Sequence, residues 1–488
     1  MSMTSKVMYG TYSYSVSPAR GDIGTAAYPD GSPPAILVHK GVRTTFTNAG
    51  GSPNIGPDPK PLYFENGAGL NRAAVASLTW ASGVATCYWL VYEADADNTT
   101  PFVWNNPVAG PVQLTNGTVT ITNPYALKTK RINATTVDIY CIDYDGRIVF
   151  RVRSSGTNGD TYTPQTGYYQ FPALSFGSNQ TYGVDLEIIG DSVYALFNSG
   201  TNLTAGAPTA NYLNSTVVQL DLALSTPPVA VNGPYGSSSS GGTAKNSFSI
   251  QAYNDGTDDH LLVTAVGGPQ LDQAYPPNYP QNWNPGSRIQ RVDPGTLAVT
   301  DLLRSAATTS EPGTDQFDFR ALTFSADGSQ AYILAGKYNT SFASFNYRLY
   351  FTDMGTILSS SSALMSSLVS GLTAKVVEIN SAANGYLWGL LYSENNVMTW
   401  FVKGEDLAIY DQSVLGGQVA SAGGITALST FTAGQFPGLN FVTIYEDEAA
   451  PAPRALKGYV APAFASNSPA ALAERERFLK EVAAANEK

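Results

Sequence analysis

Carboxylates are the side chains through which this chain could do chemistry, because most other reactive combinations are missing. Histidine occurs only at His39 and His260, and neither has a second ligand nearby at metal-binding spacing. A Ser-His-Asp triad would have to use one of these two, and no Gly-x-Ser-x-Gly elbow is present. No Gly-x-x-x-x-Gly-Lys-Ser/Thr phosphate loop occurs either. Among the acids, Glu93-Ala94-Asp95-Ala96-Asp97-Asn98 alternates oxygen ligands as the first half of a calcium loop does. Glu93, Asp95 and Asp97 are therefore candidate ligands for calcium; no other cofactor is expected. The position where a bidentate Glu would close the cage is Trp104, and the run also reads as a solvated loop leaving a strand. Asp255, Asp258 and Asp259 cluster in a hairpin turn, where turn chemistry alone accounts for Asp. Asp315 and Asp318 precede an apolar strand. A glycosidase or lyase needs two carboxylates flanking one bond, and sequence leaves open which of these acids meet.

A second kind of chemistry is recognition by aromatic rings and amides. The loop 267–287 carries Tyr275, Asn278, Tyr279, Asn282 and Trp283 among four prolines between Pro276 and Pro285. Prolines stiffen the loop, so the rings can be presented at small entropic cost, while Asn amides hydrogen-bond a sugar or a peptide. The alternative is a long loop packed by these rings over its own sheet. Arg20-Gly21-Asp22 matches a receptor-binding tripeptide, and Gly and Asp are also ordinary turn residues.

These segments hang on strands. Seven times a short apolar strand enters a turn and leaves as a second apolar strand. The units are Val75–Trp80 with Val84–Tyr92, Val137–Ile142 with Arg147–Val152, Val184–Ile189 with Ser192–Phe197, and Phe248–Tyr253 with Leu261–Val266. Arg320–Phe324 with Ala331–Leu334, Lys375–Ile379 with Tyr386–Tyr392, and Leu428–Phe431 with Phe441–Tyr445 follow. Turns such as Asp145-Gly146, Gly190-Asp191 and Asp327-Gly328 join them, and third and fourth strands such as Arg288–Asp293 and Leu297–Leu302 come after. The units recur every roughly 45 to 70 residues, a spacing of propellers and solenoids. The seventh is short, and Lys6–Val16 and Ala35–Phe46 read as β, so residues 1–70 are expected to complete it and close a ring. A separate N-terminal appendage is the alternative.

The chain resembles the β-propeller superfamily at the level of architecture, in particular its quinoprotein-like and bacterial surface β-propeller-repeat members. The likeness rests on Ala321-Leu322-Thr323-Phe324-Ser325-Ala326-Asp327-Gly328-Ser329 and Arg291-Val292-Asp293-Pro294-Gly295-Thr296, which mark hairpins and carry no chemistry. No Trp-Asp dipeptide ends a strand, no Ser-x-Asp-x-Gly-x-Thr-Trp box occurs, and the Gly/Trp docking pattern of quinone-cofactor dehydrogenases is absent. The resemblance covers about residues 70–445 and names no subfamily; the seven repeats and the closing N-terminal arm together read as an all-β, seven-bladed β-propeller over residues 1–447, with a short C-terminal helix.

Composition narrows the partners. Charged residues are 13% of the chain against a usual share of about 25%, so Thr, Ser, Asn, Gly and Tyr must build the surface. A net charge of −11 disfavours nucleic acid and anionic lipid. The one basic cluster, Lys128, Lys130 and Arg131, reads as an exposed strand end. No apolar run is long enough to insert in a membrane. Cys87 and Cys141 lie inside apolar strands and read as buried free thiols, with a disulfide between neighbouring repeats as the alternative. No signal peptide is visible at residues 1–17, yet the low charge, the 29 Tyr and the Asn-x-Ser/Thr triplets at Asn98, Asn116, Asn133, Asn179, Asn202, Asn214 and Asn339 fit an extracellular, cell-surface or virion-surface setting. Residues 448–467 read as an Ala/Pro-rich linker. Residues 468–488 read as an amphipathic helix capped at Ser468-Pro469, which would dock on the parent domain, a partner or a neighbouring copy.

The reading is thus a non-enzymatic surface or assembly protein that binds glycan or protein through aromatic, Asn/Thr-rich loops. One alternative is a carboxylate-dependent carbohydrate or lactone hydrolase or lyase with its site at the central channel. The other is a structural subunit of a virion or filament.

Overall fold

The computed structural model describes residues 4–11, 23–29, 38–43, 60–81, 84–93, 108–172, 180–200, 215–232, 247–266, 287–304, 317–324, 328, 330–338, 345–361, 363–364, 371–373, 376–381, 386–393, 396–403, 408–411, 418–420 and 439–447. The described chain is mostly β. It opens with β1 (Thr4–Thr11), β2 (Ile23–Pro29) and β3 (Val38–Arg43), a sheet ordered β3-β2-β1. The next sheet is the meander β4 (Lys60–Glu65), β5 (Asn71–Ala81), β6 (Val84–Glu93) and β7 (Ala109–Gln113). Residues 60–65, counted with the N-terminal arm by the sequence reading, belong instead to this sheet, paired with β5 from Lys60↔Ala76 to Glu65↔Asn71.

The following sheet holds β8 (Pro124–Asn133), β9 (Thr136–Asp143), β10 (Ile148–Ser155), β11 (Thr161–Pro164) and the short β12 (Tyr169–Gln170). Then come β13 (Gln180–Ile189), β14 (Ser192–Gly200), β15 (Thr216–Asp221) and β16 (Ala230–Val231). A further meander is β17 (Ser247–Asn254), β18 (Asp259–Val266), β19 (Ser287–Val292) and β20 (Val299–Arg304). β21 (Phe317–Phe324), β22 (Gln330–Tyr338) and β23 (Phe345–Asp353) lead into the single described helix, α1 (Met354–Ser359). No helical periodicity announces this helix. Asp353 caps it by accepting the Thr356 amide at 3.1 Å, and buried Met354 and Ile357 anchor it. β24 (Ala363–Leu364) adds in parallel to β20, and β25 (Gly371–Thr373) adds to β23. β26 (Val376–Ser381), β27 (Tyr386–Ser393), β28 (Asn396–Lys403), β29 (Ala408–Asp411) and β30 (Gln418–Ala420) make another sheet. Last is β31 (Leu439–Asp447), which pairs antiparallel with β1 from Thr4↔Asp447 to Thr11↔Leu439. The expected first arm of that last unit, Leu428–Phe431, lies outside the described residues, as do the linker and terminal helix over 448–488.

Why these segments form sheets buried on both faces is clearest in β9. Every residue from Val137 to Asp143 is buried. Side chains alternate across a strand, so the run splits between two cores. Val137, Ile139 and Cys141 join Phe64, Trp89 and Phe150 in the core shared with the β4–β7 sheet. Tyr140 and Ile142 join Leu186, Phe197 and Leu220 in the core shared with the β13–β16 sheet. The next interface repeats the pattern, with Leu196 and Val217 against Ile250, Leu261 and Val263. The one after it packs Leu262 and Leu302 against Phe319, Leu322 and Ile333. The three sheets β8–β12, β13–β16 and β17–β20 are therefore each sandwiched between two neighbours, and their continuous apolar strands are the consequence.

The first long strands of successive sheets lie side by side: β4 with β8, β8 with β13, β13 with β17, β17 with β21 and β21 with β26. β31 packs beside both β26 and β4. Their exposed edges need partners for backbone N–H groups, and that need shapes the candidate site. Both cysteines are buried free thiols in the first of these cores.

Candidate functional site

The described residues concentrate unusual polar chemistry on β8, β13 and β17. Ile250 and Ala252 are two residues apart, so their N–H groups leave the same edge of β17. That edge faces away from β18, because β17 ends its sheet. Two carboxylates reach across from β13 to cover it. Asp185 Oδ2 accepts the Ile250 amide at 2.9 Å, and Glu187 Oε2 accepts the Ala252 amide at 3.4 Å. The other oxygens accept amides of β13 itself, Leu186 at 2.8 Å for Asp185 and Ile188 at 3.0 Å for Glu187. From the opposite side Lys128 of β8 donates to Glu187 Oε2 at 3.0 Å. Burial is the main force on Asp185 and pushes its pKa up to about 7, with Glu187 adding to the rise, against Lys128 and the two amides. Two carboxylates with different surroundings thus stand about 7 Å apart along one strand face, by the strand rise.

At the starting ends of the same strands lies a run of aromatic rings. Tyr125 is the second residue of β8, Tyr144 sits in the β9–β10 turn, and Tyr182 is near the start of β13. Tyr144 stacks on Tyr182 with centroids 4.4 Å apart and planes at 22°, and Tyr125 lies 5.0 Å from Tyr144. Lys60, at the start of β4, holds its ammonium 4.7 Å from the Tyr125 centroid. All three tyrosines are half-buried, and Asp145 beside them is exposed. Burial is the first cause holding the Tyr144 hydroxyl well above its ordinary pKa, with the neighbouring rings and Asp145 adding. The tyrosine run lies about 10 Å along β13 from Asp185, three residues at the strand rise.

Other charged groups serve the frame. Asp138 is fully buried between Arg153, held by two hydrogen bonds of 2.6 and 2.7 Å, and Arg151 at 3.0 Å. Arg151 and the Tyr140 hydroxyl both donate to the Leu222 carbonyl at 2.8 Å, tying this sheet to the next. Arg72 grips Asp160 with two bonds of 2.8 and 2.7 Å. Asp143 accepts the Asn123 and Thr122 amides at 2.9 and 3.2 Å. Burial outweighs those bonds and raises its pKa to about 6.

The sites expected from sequence fall mostly elsewhere. Tyr275, Asn278, Tyr279, Asn282 and Trp283 lie outside the described residues, as do Asp95, Asp97, Asp315 and Arg20-Gly21-Asp22. Glu93 is the last residue of β6, and Asp318 lies in β21. Among the described residues no group of three or more His, Cys, Asp and Glu could hold a metal ion. His39 lies in β3; His260 bonds Asp255 at 2.9 Å, and that bond is the main cause drawing Asp255 down to about 2. Asp255 also accepts the Thr257 and Asp258 amides at 2.8 Å, so this acidic cluster is turn chemistry. Lys128, Lys130 and Arg131 form a lace between sheets, not a loose strand end. Lys130 donates to the Gly190 carbonyl at 2.6 Å, and Arg131 bonds Glu65. Sequence reasoning missed Asp185 and Glu187, although two carboxylates at period two inside the apolar run 184–189 were the available signal.

No family model matches the chain, and no curated protein matches it in sequence. In three dimensions it is similar to the periplasmic gluconolactonase of Pseudomonas aeruginosa, at 11% identity and a TM-score of 0.51, over 90% of this chain and 99% of that one. The fold is a β-propeller. The propeller is also similar to puromycin hydrolase, at 11% identity and a TM-score of 0.42; 72% of this chain covers 46% of that one, less than half its length. The β-propeller domain of the trilobed protease from Pyrococcus furiosus follows at 11% identity and a TM-score of 0.32, over 72% and 83% of the two chains. At such identities the likeness is one of fold, and function has to be argued from the site.

Proposed function

We propose that the chain is a seven-bladed propeller, closed by β1–β3 joining β31, that binds glycan or protein at the end of the ring where the inner strands begin. The seven sheets, the side-by-side order of their first strands and the β1–β31 pairing support the closed ring. The observation that carries the binding reading is the run Tyr125–Tyr144–Tyr182 backed by Lys60, which spans neighbouring blades. Rings already held by stacking lose little entropy on binding and offer apolar edges and hydroxyls together. The Tyr275–Trp283 loop is a second aromatic element of the same chemistry, and calcium at Glu93, Asp95 and Asp97 would order the segment that follows β6. Full engagement of Asp185 and Glu187 by backbone amides favours binding over catalysis. The fold likeness to a periplasmic protein supports a secreted or surface setting.

Glycan-array and peptide-array binding tests this reading with wild type, Tyr144→Ala and the triple variant Tyr275/Tyr279/Trp283→Ala. Wild type should bind a defined class, and at least one variant should lose about tenfold or more, the share of one stacked ring. Equal signals for all three proteins would refute it.

One observation favours the hydrolase reading instead. Asp185, raised to about 7, sits two residues from a Lys128-paired Glu187. Asp185 would donate the proton and Glu187 would act as base or nucleophile, and the gluconolactonase likeness in fold makes lactones the first substrates to try. Turnover of lactones or aryl glycosides, lost in Asp185→Asn, would support it. No turnover by wild type would remove it.

A further inference from the structure

We infer that Asn133 is an acceptor for an N-linked sugar, built into the β8–β9 hairpin at the end of β8 opposite the tyrosine run. Asn133-Ala134-Thr135 is one of two Asn-x-Thr triplets whose side chains are described, and the fold treats them oppositely. At Asn133 the side-chain oxygen Oδ1 accepts both the amide and the hydroxyl of Thr135, at 2.9 and 3.2 Å. Among the described residues Nδ2 donates to no group, and Asn133, Ala134 and Thr135 are all exposed. The turn is held from beneath. Arg131 donates to the Ala134 carbonyl at 3.3 Å, and the Thr135 carbonyl packs so closely on Gly67 that a Cβ there would collide with it. At Asn116 the amide is spent. Its Nδ2 donates to the Gln165 and Thr166 carbonyls at 3.3 and 3.1 Å, and its Oδ1 accepts the Thr118 and Val119 amides at 3.0 Å.

The distinction matters because the nucleophile is the amide nitrogen, a weak one whose lone pair is delocalised into the carbonyl. In the transfer, Nδ2 forms a bond to C1 of the sugar. The bond from C1 to the phosphate oxygen of an activated donor breaks, the phosphate leaves with its electron pair, and one Nδ2 proton passes to a base of the transferase. The Thr135 hydroxyl polarises the Asn133 carbonyl and fixes its rotamer, while Nδ2 stays open to solvent. At Asn116 two hydrogen bonds would have to break first. β8 is ten residues long, so a sugar on Asn133 would sit about 30 Å from the tyrosine run and leave it uncovered.

The test treats native protein with a soluble N-glycosyltransferase and UDP-glucose and maps hexose addition by mass spectrometry of peptides. Asn133 is expected to be modified at least about tenfold faster than Asn116, since Asn116 must first give up two hydrogen bonds. Urea-unfolded chain should lose that difference. Thr135→Val should abolish addition at Asn133 and Thr135→Ser should keep it, with both variants retaining the wild-type circular dichroism. Native protein unmodified at Asn133, or modified equally at Asn116, would overturn the inference.

Discussion

Asp185 should make the protein less stable as pH rises through neutrality, and Asp185→Asn should remove that loss. Its carboxyl is raised from an ordinary 3.8 to about 7, chiefly by burial. The folded state therefore holds a proton that the unfolded chain has released, and stability falls by about 1.4 kcal/mol per pH unit across that window. The stabilisation is fully present below about pH 4 and is lost as pH rises through about 7. Integrated over the window the loss is at most about 4 kcal/mol, and roughly 2 to 4 after allowing for the partial exposure of the group. Asp143, raised to about 6, acts in the same direction, so the part belonging to Asp185 is read between pH 6 and 8. Urea midpoints of wild type and Asp185→Asn at pH 5, 6, 7 and 8 measure it. Asparagine keeps one acceptor oxygen and carries no charge at any of these values. The wild-type midpoint should drop from pH 6 to 8 and the variant's should stay nearly level, so that the two curves converge or cross. Parallel curves would refute the assignment of the proton to Asp185.

Three further outcomes follow from the geometry. Asp138→Asn removes the one carboxylate shared by Arg151 and Arg153 and should cost about 3 to 5 kcal/mol in a urea titration, because it strands a buried charge; Glu65→Gln, which breaks an exposed pair with Arg131, should cost no more than about 1 kcal/mol. Asp255 is held near 2, so its contribution is present above about pH 4 and is lost as pH falls through about 2. His260→Gln should return the Asp255 titration, followed by carboxyl NMR, towards the ordinary range. The Cys141 thiol is pushed far up by burial, and both cysteines are buried, so neither should react with a thiol reagent at pH 8 in the native protein, while both react in urea.

The first six hairpins were legible because each is local. Val184–Ile189 and Ser192–Phe197 carry apolar alternation on either side of Gly190-Asp191, and Gly190 adopts the positive φ of 56° that the tight turn requires. The apolar runs buried on both faces also pointed to stacked sheets. What remained hidden is what joins one sheet to the next. Asp185 to Ile250 and Glu187 to Ala252 each span 65 residues, and no short-range period encodes such a partner. The tyrosine run is invisible for the same reason, since Tyr125, Tyr144 and Tyr182 meet only after two sheets have packed. The short helix α1 escaped because six residues are too few to show a period.

The pairing of β1 with β31 has a mechanical meaning. The two strands are antiparallel with Thr4 opposite Asp447, so the chain enters and leaves the clasp at the same end. Tension applied between residues before Thr4 and after Asp447 loads the bonds of this ladder one pair at a time, as a zipper is opened, and not all together in shear. The clasp therefore resists thermal opening through the summed ladder, yet yields to a modest pull on the two tails.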